Sequence, residues 1–316
     1  MSKLTLNLRI FNSYGTLLAL IILVTIFSIL RPYSFCSLGN FINITRQISL
    51  LVIISMGATM VMSINEFDLS IGSMASLGGI MSTIMAANGF PIILCFAFPL
   101  LICSAIGMIN GLIVAKFGVL SFVTTLGMST IITGIIFRLT GGSTVFQNIP
   151  KSFSYMGTAK LLGVPILSIL MLVGILVFYF MMERMVIGRK LYAIGGNEEA
   201  SKISGINVKK YKIIAFSLCA TMAGFTGILI ASRLGSANVT AGDGYFLQTY
   251  AAVFIGCTVS KCGVPNIQGT VIGAAILGIL ANGLTILQMP TYMQNLITGA
   301  IIIVAVILQK LDRNNR

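Results

Sequence analysis

Acidic residues are scarce in this chain, so the few that stand beside apolar stretches are the first candidates for chemistry. The 316 residues include seven Asp and Glu, and Glu66, Asp68 and Asp243 each lie at or beside a long apolar run. A charge in such a place costs several kcal/mol unless it is paired or hydrated. These carboxylates could carry an ion or a proton across a membrane, whereas a structural role for Asp68 would be to cap the helix that follows it.

Several other kinds of chemistry are disfavoured by what the sequence lacks. Histidine is absent, and the six cysteines do not have the paired spacing of a zinc site. The sequence contains neither a nucleophile motif nor a Gly-x-x-x-x-Gly-Lys-Ser/Thr phosphate loop. We therefore expect no metal site, no catalytic residues and no cofactor on this chain. If ATP drives the protein, a partner subunit must bind it.

The elements that position these residues are apolar segments. The chain is 57% hydrophobic and only 9% charged, which leaves too little polar surface for a soluble protein of this size. We predict an all-α, polytopic membrane protein that forms a single domain over residues 1–316, with about ten transmembrane helices. The predicted spans are 15–30, 41–64, 69–87, 91–116, 119–140, 164–182, 213–233, 248–260, 267–287 and 293–308. The eighth is too short to cross alone, so it either begins in the preceding outer loop or is a broken helix.

The basic residues predict the orientation of these spans. The formal net charge is +13, but the Lys and Arg residues are scattered over span ends and form no stripe. This distribution favours anionic membrane lipid over nucleic acid as a partner. With ten alternating spans and both termini in the cytoplasm, most basic residues fall on the cytoplasmic side, as expected for membrane proteins. Outside segment 183–212 these are Lys3, Arg9, Lys116, Lys261, Lys310, Arg313 and Arg316.

Segment 183–212, ERMVIGRKLYAIGGNEEASKISGINVKKYK, is the one long polar interruption of the apolar sequence. Its basic residues outnumber its acidic ones, which indicates a cytoplasmic location. Gly195, Gly196 and Asn197 predict a chain reversal, Asn197 can also cap a helix, and the two glutamates that follow suit the positive end of a helix dipole. The pattern predicts a short amphipathic helix over about 198–204. A solvated loop with one helical turn is the alternative.

The part of this segment from Gly188 to Lys212 resembles the coupling region of ribose-type ATP-binding-cassette permeases, the membrane subunits of bacterial sugar importers. Three further stretches resemble this family and follow in the family's order: DLSIGS, AKFGVLSFVTTLGM, and the run from Gly242 to Leu284. The chain departs from the family at Asn65 and Glu66, where small residues are usual. It also departs at Phe246, where glutamate is common, and around Cys257 and Cys262.

The resemblance implies a sugar permease in a bacterial cytoplasmic membrane. In that family the short helix of the coupling region lies in a cleft of an ATPase subunit, and a sugar-binding protein docks outside. The implied partners are therefore the ATPase subunit, the binding protein and a second permease chain, with a homodimer as the expected pairing. The implied ATPase-coupling residues are Gly188, Arg189, Gly195, Gly196, Asn197, Glu198, Glu199, Ala200, Ser204 and Gly205.

The translocation path of a sugar permease should offer hydroxyl and amide groups, because sugars are polar and uncharged. The candidates for the path or its gate are Asp68, Ser70, Ser73, Asn110, Thr124, Thr125, Asp243 and Asn282. A secondary transporter that uses Asp68, Glu66 or Asp243 as its ion or proton carrier is the alternative function. A membrane-embedded enzyme is disfavoured by the missing catalytic motifs.

An internal similarity suggests a repeat. Asn110-Gly111-Leu112 in the fourth span is echoed by Asn282-Gly283-Leu284 in the ninth. These spans run in opposite directions, so the echo predicts an inverted repeat that relates spans one to five with spans six to ten.

Overall fold

The computed structural model describes residues 3–259 and 263–314. The predictions for Lys261, Cys262 and Arg316, and the last residue of the predicted eighth span, fall outside this part of the chain. The all-α prediction is confirmed, since the described residues form helices with a single two-stranded hairpin. The elements are α1 (Lys3–Leu30), α2 (Pro32–Phe35), α3 (Leu38–Met62), α4 (Ile71–Ala87), α5 (Ile92–Phe117), α6 (Ser121–Thr140), α7 (Lys151–Thr158), β1 (Lys160–Leu161), β2 (Val164–Pro165), α8 (Ile166–Glu183), α9 (Val186–Gly196), α10 (Glu198–Ile203), α11 (Val208–Leu234), α12 (Asp243–Cys257), α13 (Ile267–Ile286) and α14 (Thr291–Asn314).

Six helices of the described chain are long and apolar enough to cross a membrane: α3, α5, α6, α8, α11 and α13. The apolar part of α1 and the whole of α4 are shorter apolar helices. Each predicted span coincides with one helix, which confirms a polytopic membrane protein, while the count of ten stays a prediction. Helix α12, which corresponds to the predicted eighth span, begins at Asp243, inside the loop that precedes that span. This agrees with the alternative in which the eighth span begins in the preceding loop.

Helix α11 lies at the centre of the helix bundle and packs against α3, α4, α5 and α7. The approach of α11 to α4 is close because Gly78 of α4 faces Gly224 of α11, and a Cβ on Gly78 would overlap the Gly224 carbonyl oxygen. Small residues at such crossings are typical of membrane helices, which gain stability from backbone proximity rather than from water exclusion. By contrast, few side chains of α5, α6 and α8 are buried inside the bundle, as expected for helices that face lipid.

Two segments hold more structure than the sequence predicts. Segment 183–212 contains the amphipathic helix α9 before the predicted short helix, and Gly195 and Gly196 form the last residues of α9. Of the three residues predicted to reverse the chain, only Asn197 lies outside a helix, and its extended backbone separates α9 from α10. Residues 208–212, the last five of the polar segment, form the beginning of the central helix α11. Residues 141–163, which lie between the predicted fifth and sixth spans, contain α7 and the first strand of the hairpin.

Contacts among loops and helix ends mark the two ends of the bundle. At one end, Val145 and Ala237 pair as an isolated antiparallel bridge, and the side chains of Asn40 and Asn282 exchange two hydrogen bonds. At the other end, Asn65 of the α3–α4 loop contacts Gly195 of α9. The two asparagines of the predicted repeat make different contacts, since Asn110 bonds to Ser70. The inverted repeat stays a prediction.

Candidate functional site

The short helix α10 forms where the sequence predicts it, over Glu198–Ile203. The Asn197 side chain accepts a hydrogen bond from the backbone N–H of Ala200 at 2.9 Å, which is the geometry of an N-cap. Glu198 and Glu199 occupy the first turn and Lys202 the last, so both ends suit the helix dipole. Gly205 follows with a φ of +80°, a left-handed conformation that favours glycine after a helix end.

The predicted coupling residues divide into an exposed set and an anchored set. Gly188 is buried against Met182, Gly195 packs on Ser63, and Glu198 is half-buried. The remaining seven are exposed on the surface that α9 and α10 share: Arg189, Gly196, Asn197, Glu199, Ala200, Ser204 and Gly205. We call this set the coupling surface. It offers a partner an exposed helix and side chains of both signs of charge.

A chain of ion pairs fixes α10 to the helix bundle. The Lys212 ammonium lies 2.9 Å from Glu198 Oε2 and 2.8 Å from Glu66 Oε1. On the solvent side, Lys202 lies 3.1 Å from Glu198 and 2.8 Å from Glu199. The Lys212 side chain is only 9% exposed, against 39% for Glu198, so the inner pairs are less screened by water than the outer ones. The hydrogen bond from Lys212 holds the pKa of Glu198 below its ordinary value.

The loop between α3 and α4 enters the bundle beside this ion chain and meets several helices. The Tyr250 hydroxyl of α12 accepts the backbone N–H of Asp68 at 2.7 Å and donates to the Asp68 carbonyl at 2.9 Å. The Thr125 hydroxyl of α6 accepts the N–H of Leu69 at 2.9 Å. Backbone groups of this buried loop are therefore satisfied by side chains of other helices, as buried polar groups require.

The Asp68 carboxylate orders the turn that leads into α4. Its Oδ1 accepts the N–H of Ser70 at 2.9 Å and also the Ser70 hydroxyl. Asn110 of α5 donates to the same hydroxyl at 3.2 Å. Ser70, not Asp68, occupies the N-cap position of α4, and it makes no side-chain cap hydrogen bond. The Asp68 carboxylate orders the turn before the helix, so the predicted cap by Asp68 is wrong. We call Asp68, Ser70, Asn110, Ser121, Thr125 and Tyr250 the Asp68 cluster.

The cluster gathers four of the eight predicted path residues: Asp68, Ser70, Asn110 and Thr125. Ser73 lies one turn into α4 and donates to the Ser70 carbonyl at 3.0 Å, and Thr124 is half-buried on α6. The other two are elsewhere. Asp243 is exposed at the start of α12, and Asn282 pairs with Asn40.

Three residues of the site were not among the predicted positions. Tyr250 and Ser121 join the Asp68 cluster, and Lys212 is the centre of the ion chain. Tyr250 stands in one of the family-like stretches, but nothing in its sequence neighbourhood shows that it contacts residue 68. Phe246, which replaces the glutamate common in the family, stacks edge-on against Tyr250 at 5.5 Å. This departure from the family extends an aromatic group around the cluster.

Comparison with known proteins identifies the family. A profile of the branched-chain amino acid transport system permease component matches residues 40–306. The ribose import permease protein of Escherichia coli (strain K12) is 38% identical over 296 residues, which cover 93% of this chain and 92% of that protein. The chain belongs to the family of ribose-type ATP-binding-cassette permeases. The same family includes the ribose import permease of Bacillus subtilis (strain 168), 34% identical over 95% of this chain and 94% of that protein.

A third relative of this permease carries a different sugar in its name. The D-allose transport system permease protein of E. coli (strain K12) is 34% identical over 98% of this chain and 95% of that protein. No solved structure matches the chain. Family membership makes the chain a multi-pass inner-membrane sugar permease and not an enzyme, and it implies an ATPase and a substrate-binding protein as partners. It gives no support to the secondary-transporter alternative.

Proposed function

We propose that this permease forms the membrane path for ribose or a closely related monosaccharide, that the ATPase subunit binds the coupling surface, and that two copies pair as a homodimer. The observation that carries the proposal is the form of α10. It is a capped, exposed helix, and its half-buried glutamate is ion-paired to the first turns of the central helix. The similarity to permeases named for ribose supports the choice of sugar.

In this proposal, α10 transmits the closure of the ATPase to the membrane helices. A push on the coupling surface moves Glu198, and Glu198 is bonded to Lys212 at 2.9 Å. Lys212 belongs to α11, which contacts α3, α4, α5 and α7. A displacement of α11 therefore changes the packing of four other helices, and their small-residue contacts permit sliding.

The Asp68 cluster is the part of the predicted path that can exchange hydrogen bonds with a sugar. Ser70, Asn110 and Thr125 of the cluster supply hydroxyl and amide groups, and all three make hydrogen bonds to other elements of the bundle. Ser73 and Thr124 add hydroxyl groups beside the cluster. When the helices separate, these groups can turn to sugar hydroxyls at little net cost. Asp243 and Asn282 lie outside the cluster, and we propose roles for them at the outer mouth.

The orientation follows from the charges. We propose that the coupling surface and both termini face the cytoplasm and that basic residues at the helix ends contact anionic lipid. The ATP needed for transport is bound by the partner subunit and not by this chain. The sugar-binding protein would dock on the opposite end of the bundle, where Val145 pairs with Ala237.

The test is ATP-driven uptake in proteoliposomes. The permease is reconstituted with the ATPase subunit and sugar-binding protein from its native membrane, and uptake of labelled ribose, allose and arabinose is compared with and without internal ATP. We expect ribose to be taken up only with ATP and all components. Uptake by the permease alone, driven by an ion gradient, would overturn the proposal.

A charge reversal tests the position of the coupling surface. Glu198→Lys places a cation beside Lys202 and Lys212, so we expect the permease to insert in the membrane but to lose the ATPase subunit on purification. Lys116→Glu is the control, because Lys116 is exposed at the end of α5 and far in sequence from α10. Normal retention of the ATPase by Glu198→Lys would contradict this placement.

A further inference from the structure

The loop formed by residues 63–70, between α3 and α4, is held from two sides, and the two sets of contacts come from different parts of the molecule. One set comes from the segment that carries the coupling surface. The other comes from helices around the Asp68 cluster. Because the loop spans only eight residues, any movement of its first half must reach its second half.

The first half of the loop is bonded to the coupling side. Asn65 has a φ of 58°, a left-handed conformation that asparagine tolerates better than most residues. This conformation directs its side-chain amide to the carbonyl oxygen of Gly195, 2.5 Å away. Gly195 also lies so close to Ser63 that a Cβ would overlap the Ser63 carbonyl oxygen. The end of α9 therefore rests directly on the loop.

Glu66 adds an ionic contact to the same side. Its carboxylate lies 2.8 Å from the Lys212 ammonium, and the same ammonium lies 2.9 Å from Glu198 of α10. Lys212 thus joins the loop to the coupling helix through a single cation. The Glu66 side chain is 18% exposed and that of Lys212 9%, so removal of one partner leaves the other charged in a poorly hydrated place.

The second half of the loop is bonded to the membrane side. The N–H of Phe67 donates to Ser121 at 3.3 Å and that of Leu69 to Thr125 at 2.9 Å. The backbone of Asp68 exchanges two hydrogen bonds with Tyr250. These partners belong to α6 and α12. A shift of Glu66 is thus transmitted within two residues to backbone groups that those helices hold.

We propose that Asn65 and Glu66 are positioning residues that relay the movement of α9 and α10 to the Asp68 cluster, parallel to the direct connection into α11. The inference rests on the proposed function, in which the ATPase binds the coupling surface. Both residues stand where the family-like stretch departs from its usual small residues.

The experiment measures coupling rather than activity alone. In proteoliposomes that contain the full permease, its ATPase subunit and its binding protein, ribose uptake and ATP hydrolysis are measured together. For Glu66→Gln we expect the complex to assemble and hydrolyse ATP, while the number of sugars moved per ATP falls by about tenfold, because the cation of Lys212 then holds only α10. Asn65→Ala should lower the same ratio by less.

A double mutant and a matched control separate the relay from general damage. Lys212→Gln combined with Glu66→Gln should lower the ratio no further than Lys212→Gln alone, since both remove the same contact. Lys116→Gln removes an exposed lysine at the end of α5 and should leave the ratio unchanged. Glu66→Asp keeps the charge on a shorter side chain and should restore part of the ratio.

The outcomes distinguish the two proposals. If the wild-type complex takes up no sugar with ATP, the proposed function fails and the relay fails with it. If the wild-type complex transports and Glu66→Gln keeps the wild-type ratio, only the relay is overturned. It is also overturned if assembly, hydrolysis and uptake of Glu66→Gln fall in parallel, because that pattern indicates a structural brace.

Discussion

Side-chain hydroxyl groups of other helices hold the backbone of the α3–α4 loop in place. The Tyr250 hydroxyl makes two such hydrogen bonds. It accepts from the N–H of Asp68 and donates to its carbonyl, and Asp68 is fully buried. Water therefore has little access to the Asp68 backbone in the folded protein and does not replace the Tyr250 hydroxyl there. The ring is fixed as well, because it lies between Phe67 and Phe246, each at a centroid distance of 5.5 Å.

Tyr250→Phe tests this role. The substitution keeps the ring but leaves two buried backbone groups without a partner, so we expect the free energy of unfolding to fall by about 1–3 kcal/mol per group. Thermal denaturation of the detergent-purified permease measures the change. Tyr33→Phe is the control, since Tyr33 is 96% exposed. Equal melting temperatures for Tyr250→Phe and wild type would contradict the role of the hydroxyl.

Glu198 predicts a dependence of stability on pH. Its pKa is lowered, first of all by the hydrogen bond from Lys212. A lowered pKa means that the carboxylate stabilises the folded state above the ordinary value of 4.5 and that this stabilisation is lost as the pH falls through the lowered pKa. The pair is partly exposed, so its contribution is about 1 kcal/mol or less.

The measurement compares the melting temperatures of wild type and Glu198→Gln over about pH 3 to 6. Wild type should melt higher at the upper end of this range, and the difference should shrink toward the lower end because protonation removes the same charge as the substitution. Other acids titrate in both proteins and cancel in the difference. A difference that does not vary with pH would indicate that the ion pair is not formed.

At the scale of elements, the placement of α9 depends on the absence of a side chain at Gly195. A Cβ there would overlap the carbonyl oxygen of Ser63, whereas a Cβ on the adjacent Gly196 would meet no atom within 4 Å. The two glycines look alike in sequence. Only the first is required for the close approach of α9 to the end of α3.

Gly195→Ala should therefore move α9 and lower the free energy of unfolding by about 1–3 kcal/mol, as overpacking does. Gly196→Ala, on the exposed side of the same helix end, should leave the melting temperature unchanged. Limited proteolysis adds a local readout, since cleavage within segment 183–212 should accelerate only in Gly195→Ala. Identical melting and cleavage of the two variants would contradict the packing of α9 on the loop.

At the scale of the whole molecule, contacts assign the loops to two ends of the bundle, and the proposed orientation places the end with Asn65 and Gly195 in the cytoplasm. Cysteines can test this assignment. Cys36 is exposed between α2 and α3, at the opposite end, whereas Cys95, Cys103, Cys219 and Cys257 are buried.

A membrane-impermeant maleimide should therefore label Cys36 in intact spheroplasts, and Cys36→Ser should abolish that labelling. A cysteine placed at the exposed Lys209, in a background that carries both Cys36→Ser and Cys262→Ser, should react only in inverted vesicles. Labelling of position 209 from the outside would reverse the orientation.

The sequence by itself determined the class of molecule and the positions of its long apolar helices. Apolar runs of about 20 residues must form helices in lipid, because a backbone without water has to satisfy its hydrogen bonds internally. Asn197, Glu198, Glu199 and Gly205 indicated helix α10, since capping depends on neighbouring residues, and the resemblance to the coupling region favoured it over a solvated loop. The order of the family-like stretches was enough to indicate the permease family.

The tertiary structure alone decided which distant residues meet. Lys212 is one of seven basic residues in its segment, and only the fold places it between Glu66 and Glu198. Of the eight predicted path residues, the structure gathers four and separates Asn282, which pairs with a residue 242 positions away. Side-chain contacts between helices depend on the rotation and depth of each helix, and these are set by packing of the whole bundle. The residues near each position in sequence therefore do not predict these contacts.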